Sequence, residues 1–328
     1  MRGRDLVKRV PGVGPLAQKA SGLRQQLDAL ERTRRNQAAI ALALARAAPP
    51  PAVDPWSPPL PSCMCTQARC SSPAYAEWCG RLALRPLFNR KPWEYAYAAA
   101  VLDDAGVLDD GRRGIGFGVG REPLPAYLAS RGCSVVATDQ PADSAGASQW
   151  ASTGEYAGTL DGLANAEVCA ADVFAERVSF RPVDMRAVPS DLTDFDFCWS
   201  LCAFEHLGSL DAGMRFVERS LQCLRPGGVA VHTTELNLWS DDRTLAQGPT
   251  VLYRRQDIEA LAARLESTGH TVAALDFDPG DGVLDGYIDG PPWLQWPERP
   301  VLRVDIGGFV TTSFALVVTR GTAPPGSR

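Results

Sequence analysis

Short apolar runs alternate with helix-like patterns over the last two thirds of the chain. Between the runs, apolar residues recur at helical spacing and predict helices at 123–131, 209–224 and 256–267. This alternation is typical of a parallel sheet covered on both faces, so the predicted fold class is α/β, with a doubly wound, mostly parallel, seven-stranded sheet. Seven apolar runs predict the strands: 114–118, 134–139, 178–183, 195–201, 229–235, 271–276 and 308–318. The last two have no helix between them, so the last strand is predicted to be antiparallel.

The first third of the chain has a different pattern. Leu23, Leu27 and Leu30 follow one edge of a predicted amphipathic helix over 16–46, and seven of the thirteen residues in 49–61 are proline. Ser72 and Pro73 predict a helix start, and a further helix is predicted over 91–108. The predicted domains are a basic helical arm (1–48), a Pro-rich linker (49–62), a helical cap (63–110), the catalytic domain (111–320) and a disordered tail (321–328).

The charge is divided unevenly along the chain. The net charge is -5, yet residues 1–35 carry nine Lys/Arg against three Asp/Glu, which confines the basic character to the arm. No overall positive field favours nucleic acid, and the apolar stretch 38–45 is much too short for a membrane span. With nine scattered cysteines, we expect a cytoplasmic protein with reduced thiols. The leucine stripe is compatible with two arrangements: a homodimer contact through the arm, or packing of the arm on the chain's own domain.

The segment GIGFGVGRE, residues 114–122, lies between a predicted strand and a predicted helix. Its glycines leave the backbone bare at the turn, where a flat ligand can lie on the main chain. Asp139 ends the next strand, where a carboxylate can accept hydrogen bonds from ribose hydroxyls. A nicotinamide or flavin fingerprint requires G-x-G-x-x-G, but the third glycine falls on Arg121 or on Val119, depending on the register.

Further motifs follow in a fixed order. RPVDMRAVP places Asp184 and Met185 after the third strand, FDFCWSLCAFEHLG forms the fourth strand and its end, and LRPGG precedes the fifth strand, VAVHTTELN. With the glycine loop and Asp139, this order resembles the class I S-adenosylmethionine-dependent methyltransferases over roughly residues 91–320. More narrowly, the chain is similar to a bacterial branch of uncertain substrate.

The resemblance implies a Rossmann-like methyltransferase fold with S-adenosyl-L-methionine as cofactor. It implies that Asp139 binds the ribose and that Asp184 and Met185 contact the adenine. Many members carry an acid two residues before the loop, where this chain has Gly114, and Glu122 is the candidate replacement. The implied cofactor residues are Gly116, Phe117, Gly118, Gly120, Glu122, Asp139, Asp184, Met185 and Ser200.

Methyl transfer is an in-line displacement, so the protein mainly aligns the reactants in a dry site. A hydroxyl acceptor also requires a base, and His206 is the first candidate, with Glu205 beside it; a capping or packing role for the histidine stays open. Glu235, Asn237 and Tyr253 are candidate substrate contacts near the carboxyl end of the fifth strand. The resemblance favours O-methylation of a small-molecule or glycan hydroxyl.

Two clusters of potential metal ligands lack the residue spacing of known metal sites. The aspartates between 276 and 289 miss the calcium-loop pattern, so we expect a solvated lid there, and the cysteines at 63–79 contain no C-x-x-C pair. No metal is therefore predicted. Two alternatives stay open: a nucleotide-dependent oxidoreductase or sugar-modifying enzyme on a similar fold, and a non-catalytic tethering module with a vestigial cofactor site.

Overall fold

The computed structural model describes residues 13–141, 159–291 and 293–322. Eleven strands form one sheet, in the order β4-β3-β2-β5-β6-β11-β1-β8, with β7, β9 and β10 attached to its β11 side. Their bounds are β1 Ser62–Met64, β2 Arg113–Phe117, β3 Ser134–Asp139, β4 Val178–Pro182, β5 Phe195–Leu201, β6 Leu224–Asn237, β7 Thr271–Val272, β8 Leu275–Asp276, β9 Ile288–Asp289, β10 Arg303–Ile306 and β11 Phe309–Thr319.

Eight α-helices are described around this sheet. Several begin at side-chain caps: Ser72 accepts from the backbone N–H of Ala74, and Ser209 accepts from that of Ala212. The helices are α1 Val13–Ala47, α2 Gln67–Ser71, α3 Pro73–Arg81, α4 Arg90–Asp104, α5 Leu124–Ser130, α6 Ala171–Arg177, α7 Leu210–Ser220 and α8 Arg255–Ser267.

The predicted fold class is confirmed. Strands β4, β3, β2, β5 and β6 pair in parallel, and β11 pairs antiparallel with both β6 and β7. The chain order reverses between β2 and β5, which is the switch point where open α/β sheets bind ligands beyond the carboxyl ends of their strands. One half of the sheet therefore positions a site at the ends of β2 to β6.

The predicted count of seven strands is wrong. The predicted run at 271–276 divides into β7 and β8, and the strands β1, β9 and β10 were not predicted. These elements are two to four residues long, which is too short for an alternating pattern to stand out from a loop. They extend the sheet on the β11 side and leave the switch point unchanged.

Two apolar cores pack on opposite faces of the sheet. One includes Tyr97 of α4 and Leu128 of α5, and the other includes Phe216 of α7 and Leu261 of α8. Covering both faces explains why the parallel strands are nearly continuous apolar runs.

Among the described side chains of the arm helix α1, those of its C-terminal part pack on the domain. Ala38, Ala41, Leu42 and Ala45 are buried, whereas every residue from 19 to 33 is exposed. Arg34 anchors the helix by donating to Asp289 (3.3 Å), a fully buried carboxylate that also accepts from Arg299 (2.9 Å). Residues 1–12 of the predicted arm and 323–328 of the predicted tail lie outside the described residues.

The predicted lid is a solvated loop only in part: Asp278 and Asp281 are exposed, but the other aspartates are paired with arginines. Asp285 accepts from Arg303 (3.0 Å) and from the backbone N–H groups of Gln67 (2.9 Å) and Gly282 (3.1 Å). Asp276 accepts from Arg69 (3.0 Å). These carboxylates hold the segment against the sheet, so the acidic pattern reflects internal pairing.

Within the three described ranges, no helix combines the length and the hydropathy that crossing a bilayer requires.

Candidate functional site

The turn between β2 and α5 forms a crevice, which we call the glycine crevice and define by Gly118, Gly120, Asp139, Met185 and Ala203. Gly118 and Gly120 have φ values of +61° and +50°, in the left-handed region that favours glycine. A Cβ on Gly118 would lie 2.9 Å from Cβ of Ala203 and 3.3 Å from Sδ of Met185. The bare backbone at Gly118 is therefore enclosed by residues that follow β4 and β5.

The space where a side chain would stand at Gly116 is filled by core residues. A Cβ on Gly116 would overlap the indole of Trp199, and one on Gly114 would overlap the ring of Phe197. Phe117 is fully buried, with its ring 5.3 Å from that of Phe216. These positions are packed into the cores, so a ligand could contact only the backbone at 116 and 117. An acidic side chain at position 114 would have no room.

Asp139 lies where the sequence places it, at the carboxyl end of β3 beside the glycine turn. Its Oδ2 accepts from the N–H of Gly120 (3.2 Å) and its Oδ1 from that of Gln140 (2.7 Å). Burial raises the pKa of Asp139, although these two donors act against the shift. Each carboxylate oxygen has a second lone pair, which can accept from a ligand hydroxyl.

Asp184 and Met185 lie next to Asp139, because the N–H of Val183 donates to the carbonyl of Asp139 (2.8 Å). Met185 is buried against the crevice. The carboxylate of Asp184 is 39% exposed, and Arg186 binds both of its oxygens. These hydrogen bonds lower the pKa of Asp184, and an adenine amine would have to share the carboxylate with Arg186.

Glu122 lies below the crevice, and its carboxylate accepts from the indole N–H of Trp199. Burial raises the pKa of Glu122 to about 8, so the group is largely neutral at pH 7. The ammonium group of a cofactor would have to share the Glu122 carboxyl group with the indole N–H of Trp199. The structure therefore gives Glu122 a bracing role under the loop.

Ser200 does not face the crevice with its side chain. Its fully buried hydroxyl lies 2.7 Å from Nδ1 of His232, and Nε2 of that ring lies 3.0 Å from the hydroxyl of Ser220. Burial lowers the pKa of His232 to about 3, so the ring is neutral. The predicted cofactor residue Ser200 thus belongs to a hydrogen-bonded chain in the core.

A second group of polar residues lies at the carboxyl ends of β5 and β6, under the N-terminus of α4. We call it the ionic cluster. Glu94 is fully buried and receives hydrogen bonds from the thiol of Cys202 (3.1 Å), from Thr233 (3.3 Å) and from Ser313. The cluster consists of Arg90, Lys91, Glu94, Cys202, Glu205 and Glu235.

Two carboxylates of this cluster differ in their partners. Glu235 is paired with Arg90 and accepts from Thr311 (2.9 Å). Burial alone would raise the pKa of Glu235, but the charge of Arg90 and its hydrogen bond outweigh burial and lower it. Glu205 accepts only from Thr234 (3.2 Å), and its Oε1 is buried without a partner among the described residues.

The environment of Glu205 is that of a proton-accepting group. Burial, with the nearby charge of Glu235, raises the pKa of Glu205 to about 8. A buried oxygen without a hydrogen bond costs about 1–3 kcal/mol. A bound ligand that supplies the missing donor would remove this cost. This geometry makes Glu205 the stronger of the two candidate bases.

His206, the other candidate, is half-buried and points toward the 249–250 segment. Its Nδ1 lies 2.8 Å from the carbonyl of Pro249 and 3.2 Å from the hydroxyl of Thr250. A proton on Nδ1 would satisfy that carbonyl and fix the ring. These contacts favour a capping or packing role for His206 over a role as the base.

The three predicted substrate contacts have different surroundings. Tyr253 is fully buried and donates to the carbonyl of Leu210 (3.1 Å). The amide of Asn237 binds the carbonyl of Arg243 (2.9 Å) and the N–H of Trp239 (2.8 Å). Both side chains are used to hold neighbouring segments, so Glu235 alone of the three belongs to the ionic cluster.

The residues of α4 were missed from the sequence. The available signal was the charged triplet Arg90, Lys91 and Glu94 at the start of an otherwise apolar helix, where Glu94 falls on the buried side. Such a carboxylate needs partners, because buried charges are paired or hydrogen-bonded.

A metal ion is poorly matched to the cluster. Ligand atoms of Cys202, Glu205 and Glu235 lie within 4.8 Å of one another. However, Arg90 already neutralises Glu235, and the ammonium of Lys91 lies 3.5 Å from Glu94. Two resident cations oppose a divalent ion at this position. All nine cysteines are free thiols.

No family model and no curated protein matches the chain. Solved structures with distant similarity include one described as a sarcosine dimethylglycine methyltransferase from Galdieria sulphuraria, at 14% identity, with 70% of this chain and 84% of that chain covered and a TM-score of 0.42. Another is magnesium protoporphyrin IX methyltransferase from Synechocystis PCC 6803 with bound SAM (13%, 71% and 82%, 0.40). A third is 1,6-didemethyltoxoflavin-N1-methyltransferase from Burkholderia thailandensis (16%, 70% and 78%, 0.40).

Proposed function

We propose that the protein is an S-adenosylmethionine-dependent methyltransferase that methylates a hydroxyl group of a small molecule or glycan. The observation that carries the proposal is the bare backbone at Gly118, enclosed by Met185 and Ala203 and flanked by the carboxylate of Asp139. Three of the features that resemble class I methyltransferases, namely the glycine loop, Asp139 and the Asp184–Met185 pair, lie together at this crevice beside the switch point of the sheet.

The described residues fit this cofactor. Gly118 presents main chain in a cradle that a Cβ would fill, which suits a flat ligand. Met185 is an apolar, polarizable neighbour for an adenine ring, and Asp139 offers acceptors to ribose hydroxyls. The spacing of the glycines disfavours a dinucleotide, which is the alternative enzyme class.

When bound, S-adenosylmethionine supplies an electrophilic methyl group. The task of the chain is to hold the acceptor oxygen in line, to exclude water and to take up the proton that the hydroxyl loses. Glu205 suits the last task, because its Oε1 needs a donor and its pKa lies near the physiological range. The ionised carboxylate of Glu205 would take up the proton that the hydroxyl loses, while the bound cofactor would give its methyl group to the oxygen with cleavage of the sulfur–methyl bond and leave as S-adenosylhomocysteine.

The ionic cluster supports a protonated oxygen as the acceptor atom. A hydroxyl can donate to the unpartnered oxygen of Glu205 and then lose that proton to it. Arg90 pairs with Glu235 and Lys91 lies beside Glu94, whereas Oε1 of Glu205 is buried without a partner among the described residues.

Calorimetry with S-adenosylmethionine, S-adenosylhomocysteine and NAD tests the proposal. We expect the first two to bind and NAD to fail. Gly118→Ala should weaken cofactor binding by about a hundredfold, because the methyl group would crowd Ala203 and Met185.

The matched control is Gly106→Ala. Gly106 has a similar φ of +66° but open space around its Cβ position. It should lose stability by about 1 kcal/mol and keep cofactor affinity. Binding of NAD alone would favour the oxidoreductase, and binding of none of the three would favour a tethering module.

A further inference from the structure

The N-terminal part of the arm helix is a long segment without packing contacts in the described chain. Residues 19–33 are all exposed, a length of about 22 Å at 1.5 Å per residue. Most helical stability in proteins comes from packing of an apolar face, which this exposed stretch lacks within the described chain. Leu23, Leu27 and Leu30 are 53%, 59% and 50% exposed.

These leucines form a heptad seam, with Leu27 at an a position and Leu23 and Leu30 at d positions. Two heptads after Leu27, the a position is Ala41, which is buried against the domain. The domain covers the face formed by Ala38, Ala41, Leu42 and Ala45, whereas Leu44, at the next d position, is 56% exposed and the leucines at 23–30 are bare. The bare part is where a second helix fits.

The charges beside the seam distinguish the orientations of such a helix. Arg24 and Glu31 occupy e positions, which face each other in an antiparallel pair. With Leu27 packed against Leu30 of the second copy, Arg24 meets Glu31 of that copy, and the pairing occurs twice by symmetry. A parallel pair would instead place Arg24 against Lys19 of the second copy, which is repulsive.

We infer that the protein forms a homodimer through an antiparallel pairing of its arm helices over residues 20–33. A second copy provides both an apolar seam and complementary charges, whereas an anionic membrane would attract Arg24 but repel Asp28 and Glu31 beside the seam. The glycine crevice and the ionic cluster contain no residue of this segment.

Sedimentation equilibrium of the full chain tests the inference. The wild type should be a dimer, and Leu27→Asp should be a monomer. Arg24→Glu should weaken dimerisation roughly tenfold, because it turns two attractive pairs into repulsive ones. The double variant R24E/E31R should restore the dissociation constant to within about twofold of the wild type.

The matched control is Arg32→Glu, at the outward f position of the same exposed segment, which should leave the dimer unchanged. A wild type that is monomeric at all concentrations would overturn the inference, as would a double variant weaker than either single variant. Flotation of a monomeric wild type with phosphatidylserine vesicles would assign the helix to a membrane surface instead.

Discussion

The glycine crevice and the ionic cluster lie at the same edge of the sheet but satisfy their polar groups in different ways. In the crevice, backbone N–H groups bind a carboxylate that ends a neighbouring strand, as Gly120 binds Asp139. In the cluster, side chains from α4, β6 and β11 bind one another, as Arg90 and Thr311 bind Glu235. The crevice is set by main-chain geometry and the cluster by charge balance.

The difference assigns separate tasks to the two regions. The backbone groups of a main-chain cradle do not titrate in the physiological range, which suits a cofactor common to every turnover. The cluster contains one carboxyl group, Glu205, whose protonation changes near physiological pH, which suits proton transfer. Variants in the cluster should therefore alter turnover and its pH dependence while leaving cofactor affinity intact.

The largest effect is expected for Glu205→Gln. It should lower kcat by about a hundredfold to a thousandfold, because general base catalysis contributes about 10²–10⁴. In the wild type, turnover should rise tenfold per pH unit well below pH 8 and level off above it, since only the ionised carboxylate accepts a proton. The measurement is release of S-adenosylhomocysteine with an acceptor found by screening hydroxyl compounds.

Glu77→Gln, on the exposed surface of α3, is the control for this variant and should retain wild-type turnover. Cofactor affinity of Glu205→Gln, measured by calorimetry, should equal that of the wild type. If the variant keeps both its turnover and its pH profile, Glu205 is not the base and the division of tasks between the two regions is wrong.

A smaller effect, mainly on stability, is expected for Glu235→Gln. It leaves Arg90 buried without its counter-ion, which should cost about 3 kcal/mol and lower Tm by roughly 6–12 °C. It also removes the charge that helps raise the pKa of Glu205, so the pH profile should shift to lower pH. Thermal unfolding and the pH–rate profile measure the two consequences.

The matched control is again Glu77→Gln, which breaks an exposed pair with Arg81 and should change stability by less than about 1 kcal/mol. Equal effects of the two substitutions would mean that burial does not strengthen the Arg90 pair. A pH profile that does not move would show that Glu235 and Glu205 titrate independently.

The contrast between the regions also explains what the sequence could predict. Strand β3 and Asp139 were predicted because an apolar run ends in a polar residue at the carboxyl end of a parallel strand, which is a local pattern. The pairing of Arg90 with Glu235 joins residues 145 positions apart, and no local pattern encodes it. Side-chain direction was missed for the same reason, as with Ser200, whose strand was right but whose hydroxyl faces His232.

The smallest effect on turnover is expected for His206→Ala, in the residue next to Glu205. The ring binds the Pro249 carbonyl through Nδ1, so its loss should cost about 1 kcal/mol of stability and change kcat by less than about threefold. The pH profile should keep its rise toward pH 8, since the group responsible is still present. The measurement is the turnover of this variant from pH 6 to pH 9, a range that ends roughly one unit above the pKa of Glu205. A hundredfold loss with a flat profile would instead make the histidine the base and leave Glu205 as its neighbour in the wall of the site.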